Sequence, residues 1–205
     1  MSSGEEQSFE DFEHALKNSI AALRDADIPF LLGGSFAAWA RGGPESRHDL
    51  DLVVKPEDAD RALEALEAAG MKGERPPEEW LVKAWDGDVL VDVIFEPRGL
   101  KITDEVIERG DEIHVLGITM PVMAIEDVLA TKLNSIDEHE LDYSSALKMA
   151  RALREQVDWR TVRELTRESP YARAFFVLLE ELGVASDSDQ RGADVRVLTP
   201  REQQR

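Results

Sequence analysis

A carboxylate stands in the middle of an apolar run: VLVDVIF, Val89 to Phe95, has Asp92 at its centre. The run has the length and β-branched content of a strand, so Val91, Val93 and Phe95 take one face while Leu90, Asp92 and Ile94 take the other. An ionised carboxylate among apolar neighbours is costly unless something compensates it. The fold must therefore bury one face of this strand and give the other a reason to hold a charge. A second stretch makes the same demand. LLGGSFAAWARGGPESRHDLDLVV, Leu31 to Val54, ends in a strand in which Asp49 and Asp51 share a face and Leu50, Leu52 and Val54 share the opposite one. Two like charges so placed are tolerable at a solvated strand end, or where a divalent cation neutralises them. If the two strands lie side by side, three carboxylates converge. Two magnesium ions need that arrangement to clamp a nucleotide's phosphates and lower the pKa of an attacking hydroxyl.

The glycines add an anion site to this pattern. Gly33 and Gly34 fall between the apolar run Ile28 to Leu32 and a small-residue helix opening at Ser35, so backbone N–H groups, the helix dipole and the Ser35 hydroxyl would face an anion there. Arg41 and Arg47 flank the following GGPES loop and either hold phosphate or solvate the loop.

Around these segments the periodicity predicts an amphipathic helix over Ser8 to Asp25 with Ser8 as its cap, and a helix over Glu57 to Ala69 closed by Gly70. EWLVKAWDGDVLVDVIFEP reads as a hairpin turning at Asp86-Gly87, and EIHVLGITMPV as a second. From Ala124 onward the chain reads as four helices: 124 to 136, 141 to 154, 159 to 166 and 171 to 182. The expected organisation is an N-terminal helix over 1–27 packed on an α/β core over 28–122, then a helical region over 123–184. Residues 185–205, polar with little to bury, are expected to be mostly disordered.

Composition narrows the function. There are no cysteines, which excludes disulfides and thiolate metal sites. His14, His114 and His139 lack ligand spacing, so no zinc site is assigned. An acidic N-terminal start and the lack of a long apolar run point to a soluble cytoplasmic protein without membrane contact. The net charge of −19 argues against the whole chain as a polyanion binder. One strip differs: Leu147 to Arg173 holds seven basic residues against four acidic ones. It reads first as a solvated face of mixed charge and second as a phosphate-facing surface. Trp39, Trp80, Trp85 and Trp159 read as packing residues rather than base-stacking platforms.

GGSFAAWARG, HDLDLVV and LVDVIF together resemble the nucleotidyltransferase superfamily that includes DNA polymerase β, the CCA-adding enzymes, antibiotic adenylyltransferases and the nucleotidyltransferase toxins of toxin–antitoxin systems. The resemblance implies an α/β (α+β) fold: a polymerase β-like core with a mixed sheet, followed by a C-terminal helical region. It also implies that Gly34 and Ser35 hold the terminal phosphates of an NTP and that Asp49 and Asp51 bind two Mg2+ ions. Asp92 would bind the catalytic metal and take or position the acceptor's proton. His48 departs from the small polar residue common before the first aspartate. A fainter resemblance, in IEDVLATKLNSIDEHELDYSSALKMA, is to the EDL-x-x-x-K pattern that follows the core in many small bacterial members. Lys132 lies in the apolar stripe of this helix, four residues after Val128 and four before Ile136. With the carboxylate motif present, it is expected to touch the nucleotide phosphates rather than snorkel to water.

These readings imply transfer of an NMP, with AMP favoured, from an NTP to a hydroxyl. A small cationic acceptor suits the acidic chain; an RNA end would need the basic strip to face the cleft, and a protein hydroxyl is a third class. The rival is a non-catalytic nucleotide-binding or partner-binding module, with an antitoxin or a second copy of the chain as the partner.

Overall fold

The computed structural model describes residues 3–45 and 50–185, so Arg47, His48 and Asp49, and the tail 186–205, lie outside the described residues. Seven strands form one mixed sheet: β1 (Phe30–Leu32), β2 (Leu50–Val54), β3 (Lys72–Glu74), β4 (Leu81–Asp86), β5 (Val89–Ile94), β6 (Asp111–Val115) and β7 (Ile118–Val122), in the order β3-β4-β5-β2-β1-β7-β6. β2 runs parallel to β5 and β1 parallel to β7; the other neighbours are antiparallel. The two expected hairpins are β4–β5 and β6–β7. The first turns at Gly87, with φ +60°, and the second at Leu116 and Gly117, both with positive φ, as a two-residue primed turn requires.

One face of the sheet is closed by α1 (Ser3–Asp25) and α3 (Ala59–Ala68), which contact each other and the strands β3 to β5. Phe12, Leu16, Ile20 and Leu23 of α1 and Ala62, Leu63 and Leu66 of α3 are buried at helical spacing. α1 begins at Ser3, so Ser8 is an interior residue and not the cap; Glu5 and Glu6 are good helix formers that extend the first turns. β3 and the short helix α4 (Asp104–Glu108) carry no readable periodicity. The one is an edge strand of Lys-Gly-Glu, the other is a single turn and a half, and both are set by their neighbours.

The C-terminal part is helical: α5 (Ile125–Ser135), α6 (Ser144–Leu153), α7 (Trp159–Leu165) and α8 (Pro170–Glu181). α5 contacts all three later helices as well as α2 (Gly34–Ala40), so it carries the helical region onto the core. Ala185, expected in the polar tail, is buried against this bundle.

Two contacts fix α5. Gly99, with φ +76°, lets the loop after β5 pass so close to Asn134 that a Cβ there would fall 2.7 Å from the Asn134 Cγ. Asp127, 1% exposed in the first turn of α5, accepts from Arg109 Nη2 at 2.8 and 2.9 Å and from its Nε at 3.3 Å. Burial raises the Asp127 carboxyl pKa, and the hydrogen bonds and charge of Arg109 pull it back down. Arg109→Met strands this charge and is expected to cost about 2–3 kcal/mol near neutral pH, less than a fully buried pair because Arg109 is half exposed. The deficit should grow as pH rises through the raised pKa and shrink below it, where Asp127 is protonated in both proteins. Urea unfolding from acid to neutral pH measures it; a deficit that does not change with pH would contradict this account.

Candidate active site

The register of the two central strands decides where the carboxylates go. β2 and β5 pair in parallel with Leu50 opposite Val91, Asp51 opposite Asp92 and Leu52 opposite Val93. Neighbouring strands keep their pleats in phase, so Asp51 and Asp92 stand side by side on one face while Leu50, Leu52, Val91 and Val93, each 0% exposed, stand on the other. The face that holds the charges is half open. Lys83 of β4 sits opposite Asp92 and extends the charged row by one strand.

Gly34 explains how Asp51 is seated. It has φ +56°, and a Cβ at that position would lie 2.6 Å from the Asp51 Cγ, with Oδ2 closer still. The carboxylate therefore rests directly on the glycine at the start of α2. Gly33 acts differently from expectation: its N–H is not aimed at an anion but donates to Asp51 O at 2.7 Å, extending the β1–β2 ladder. Its lack of a side chain still matters, because a Cβ would fall 2.8 Å from Val53 Cγ2.

Gly34, Ser35, Asp51 and Lys132 line one cavity of 710 Å³. Its sheet side continues through Val53, Ile94 and Glu96. Its opposite wall is α5, which presents Val128, Thr131, Lys132 and Ser135, the i, i+3, i+4 and i+7 positions of one helix face. Trp80, Pro97 and Arg98 form the far end. Among the described residues no carboxylate lies within ion-pairing distance of Lys132.

The sequence matches the family model described as "Nucleotidyl transferase of unknown function (DUF2204)" over residues 12–175, most of the chain. The chain belongs to this nucleotidyl transferase family. Two solved structures share its fold. The crystal structure of ANT(2")-Ia in complex with adenylyl-2"-tobramycin matches with a TM-score of 0.58 at 16% identity, over 80% of this chain and 98% of that one. The solution structure of ANT(2'')-Ia, reported to show substrate-regulated conformation dynamics, matches at 0.57 and 17% identity, over 83% and 96%. No curated protein matches the sequence. Among the described residues no helix is long and apolar enough to cross a membrane.

Several sequence expectations for this nucleotidyl transferase change in the light of its contacts. Arg41 serves the fold and not a phosphate: it donates to Met123 O at 2.9 Å and Val122 O at 3.0 Å and pairs with Asp111 at 2.8 Å. Three of the seven basic residues of the strip are paired internally. Arg163 pairs with Glu180 at 2.6 Å and lies 4.0 Å over the Phe176 ring; Arg167 pairs with Glu164 and Glu168, and Arg154 with Glu155. None of its residues lines the cavity. Trp159 is buried and Trp39 stacks on Phe36, as packing residues do, but Trp80 is 43% exposed at the cavity rim. Trp80 and Glu96 were not anticipated as cleft residues. The signal for Glu96 was its strand parity, which it shares with Asp92 and Ile94.

Asp51 and Asp92 offer the hard oxygen donors that Mg2+ takes. Among the described residues no cluster of three metal-ligating side chains occurs; the third carboxylate of the sequence motif, Asp49, lies outside them. The Asp51–Asp92 pair, with Asp51 seated against Gly34, fits a divalent cation in donor chemistry. Gly34→Ala adds both backbone strain, about 1–3 kcal/mol, and a clash with the Asp51 carboxylate. It is expected to melt at lower temperature and, on the nucleotidyl-transfer reading proposed below, to lose magnesium-dependent ATP binding. Gly42→Ala is the control, since φ is +91° there with nothing within 4 Å of a Cβ. It should keep ATP binding, and equal loss in both variants would show that strain matters and the Asp51 contact does not.

Proposed function

We propose that the chain transfers a nucleoside monophosphate from an NTP, ATP favoured, to a hydroxyl of a small cationic acceptor, with release of pyrophosphate. The observation that carries this reading is the in-register pair Asp51 and Asp92 beside a cavity that also presents Gly34, Ser35 and Lys132. The core over 28–122 supplies the carboxylates and the phosphate turn, and the helical region over 123–184 supplies the lysine. Ser35 donates its hydroxyl, and Lys132 its ammonium, to the β- and γ-phosphates; Arg47 is a further candidate for the same anions. The acceptor oxygen attacks the α-phosphorus, the bond to the bridging β-phosphate oxygen breaks, and pyrophosphate leaves with the electron pair. Asp92 takes or orients the hydroxyl proton.

Asp49, Asp51 and Asp92 would hold Mg2+, two ions by the family resemblance, and the metal when bound would offset phosphate charge and acidify the acceptor hydroxyl. The residues' own contribution is positioning and charge complementarity. ATP as donor is supported by the shared fold of an enzyme captured with an adenylylated product. The small acceptor is favoured over an RNA end because no residue of the basic strip lines the cavity.

Asp92→Asn separates an enzyme from a pure binding module. Transfer of α-labelled ATP to a pooled set of small cationic amino sugars, tobramycin among them, should fall by roughly a hundredfold or more, with ATP binding nearly unchanged. Undiminished transfer would remove Asp92 from the chemistry. Lys132→Met should raise the KM for ATP by roughly tenfold, the cost of one charge-assisted phosphate contact, with kcat much less affected. Steady-state kinetics at varied ATP reads this; an unchanged KM would return Lys132 to the role of a snorkelling surface residue.

A further inference from the structure

The far end of the cavity differs in chemistry from the end lined by Gly34, Ser35, Asp51 and Lys132. Trp80 stands 43% exposed at the rim. Its carbonyl accepts from Phe95 N at 3.1 Å and Glu96 N at 3.2 Å, which pins it beside Glu96. Arg98, the cation at this end, is paired with Asp137 at 3.4 Å. What remains for a ligand is an aromatic face next to an exposed carboxylate, with aliphatic Ile94 between them and Asp92.

The sheet order says which reactant this end receives. The phosphate turn at Gly34–Ser35 follows β1, which flanks β2 on one side; β5 and then β4 flank it on the other. In a phosphoryl-type displacement the attacking and leaving oxygens lie roughly in line on opposite sides of phosphorus. With pyrophosphate leaving on the β1 side, the acceptor approaches over β5 and β4, where Ile94, Glu96 and Trp80 stand. Resting on the nucleotidyl-transfer reading, we infer that Trp80 and Glu96 form the acceptor subsite and select a small ring compound carrying a positively charged amine. Trp80 offers its π face to the cation and ring, and Glu96 takes the ammonium hydrogens.

Calorimetric titration of the whole chain tests this without knowing the natural acceptor. The protein is first loaded with magnesium and α,β-methylene-ATP, then titrated with 2-deoxystreptamine, a dicationic ring, and with myo-inositol, its neutral counterpart. The diamine should bind and inositol should not. Trp80→Ala and Glu96→Gln should each weaken the diamine by roughly five- to tenfold, Trp80→Phe should recover most of the loss, and all three should bind the ATP analogue like the wild type. The inference is overturned if the diamine and inositol behave alike, if the diamine ignores both substitutions, or if Trp80→Ala weakens the ATP analogue instead, which would make this the nucleoside's end. A wild-type protein that does not bind the ATP analogue at all would fail the nucleotidyl-transfer reading itself.

Discussion

The parallel pairing of β2 with β5 is the constraint on which the cleft depends. It brings two strands together that are separated in sequence by α3, β3 and β4, and it does so in a register that aligns Asp51 with Asp92. A slip of β2 by one residue against β5 would send Asp51 into the face packed by α1 and α3, and Leu50 and Leu52 into the cleft, while Asp92 stayed where it is. The apolar alternation on each strand thus fixes the charged site by forbidding any other register. The half-closed face on which the two carboxylates stand leaves room for a substrate.

Around that pair the structure is arranged as a floor, a turn and a wall. The sheet is the floor. The β1–α2 turn presses a bare Gly34 against Asp51, which spares the carboxylate the competition of a neighbouring side chain. The wall is α5, and its position follows from two unrelated contacts, the close approach of Gly99 to Asn134 and the buried ion pair of Asp127 with Arg109. Lys132 reaches the cavity because those contacts hold the helix in place, so the helical region completes a site whose acidic residues all lie in the core.

Charge is distributed with a matching logic. Arg154, Arg163 and Arg167 of the helical region face glutamates or an aromatic ring, and Arg41 is absorbed by backbone carbonyls at the end of β7. Lys132 lines the cavity beside Gly34, Ser35 and Asp51, while at the other end Arg98 pairs with Asp137 and Glu96 is exposed. The cleft therefore holds Lys132 beside the carboxylates at one end and an exposed carboxylate beside Trp80 at the other.

Much of this was legible in the chain. Alternation and periodicity gave β2, β4, β5, both hairpins and α5 to α8 close to their observed ends, because each element buries one regular face. The pattern of GGS, D-x-D and a lone aspartate pointed to Asp51, Asp92, Gly34 and Ser35 through the residue types their chemistry needs. What the sequence by itself determined is which side chains share a face, since that follows from backbone geometry within one element. Only the tertiary structure decided which faces meet. Arg41 could equally have turned to a phosphate; the carbonyls of Val122 and Met123, some eighty residues away, claimed it. Trp80 had the composition of a core residue, yet its place at the start of β4 leaves it at the rim of a cleft whose opposite wall comes from α5. Gly33 and Gly34 are indistinguishable as letters, and the long-range register with β2 gives one a ladder hydrogen bond and the other a carboxylate to cradle. Such assignments depend on contacts between distant segments, and no local pattern encodes them.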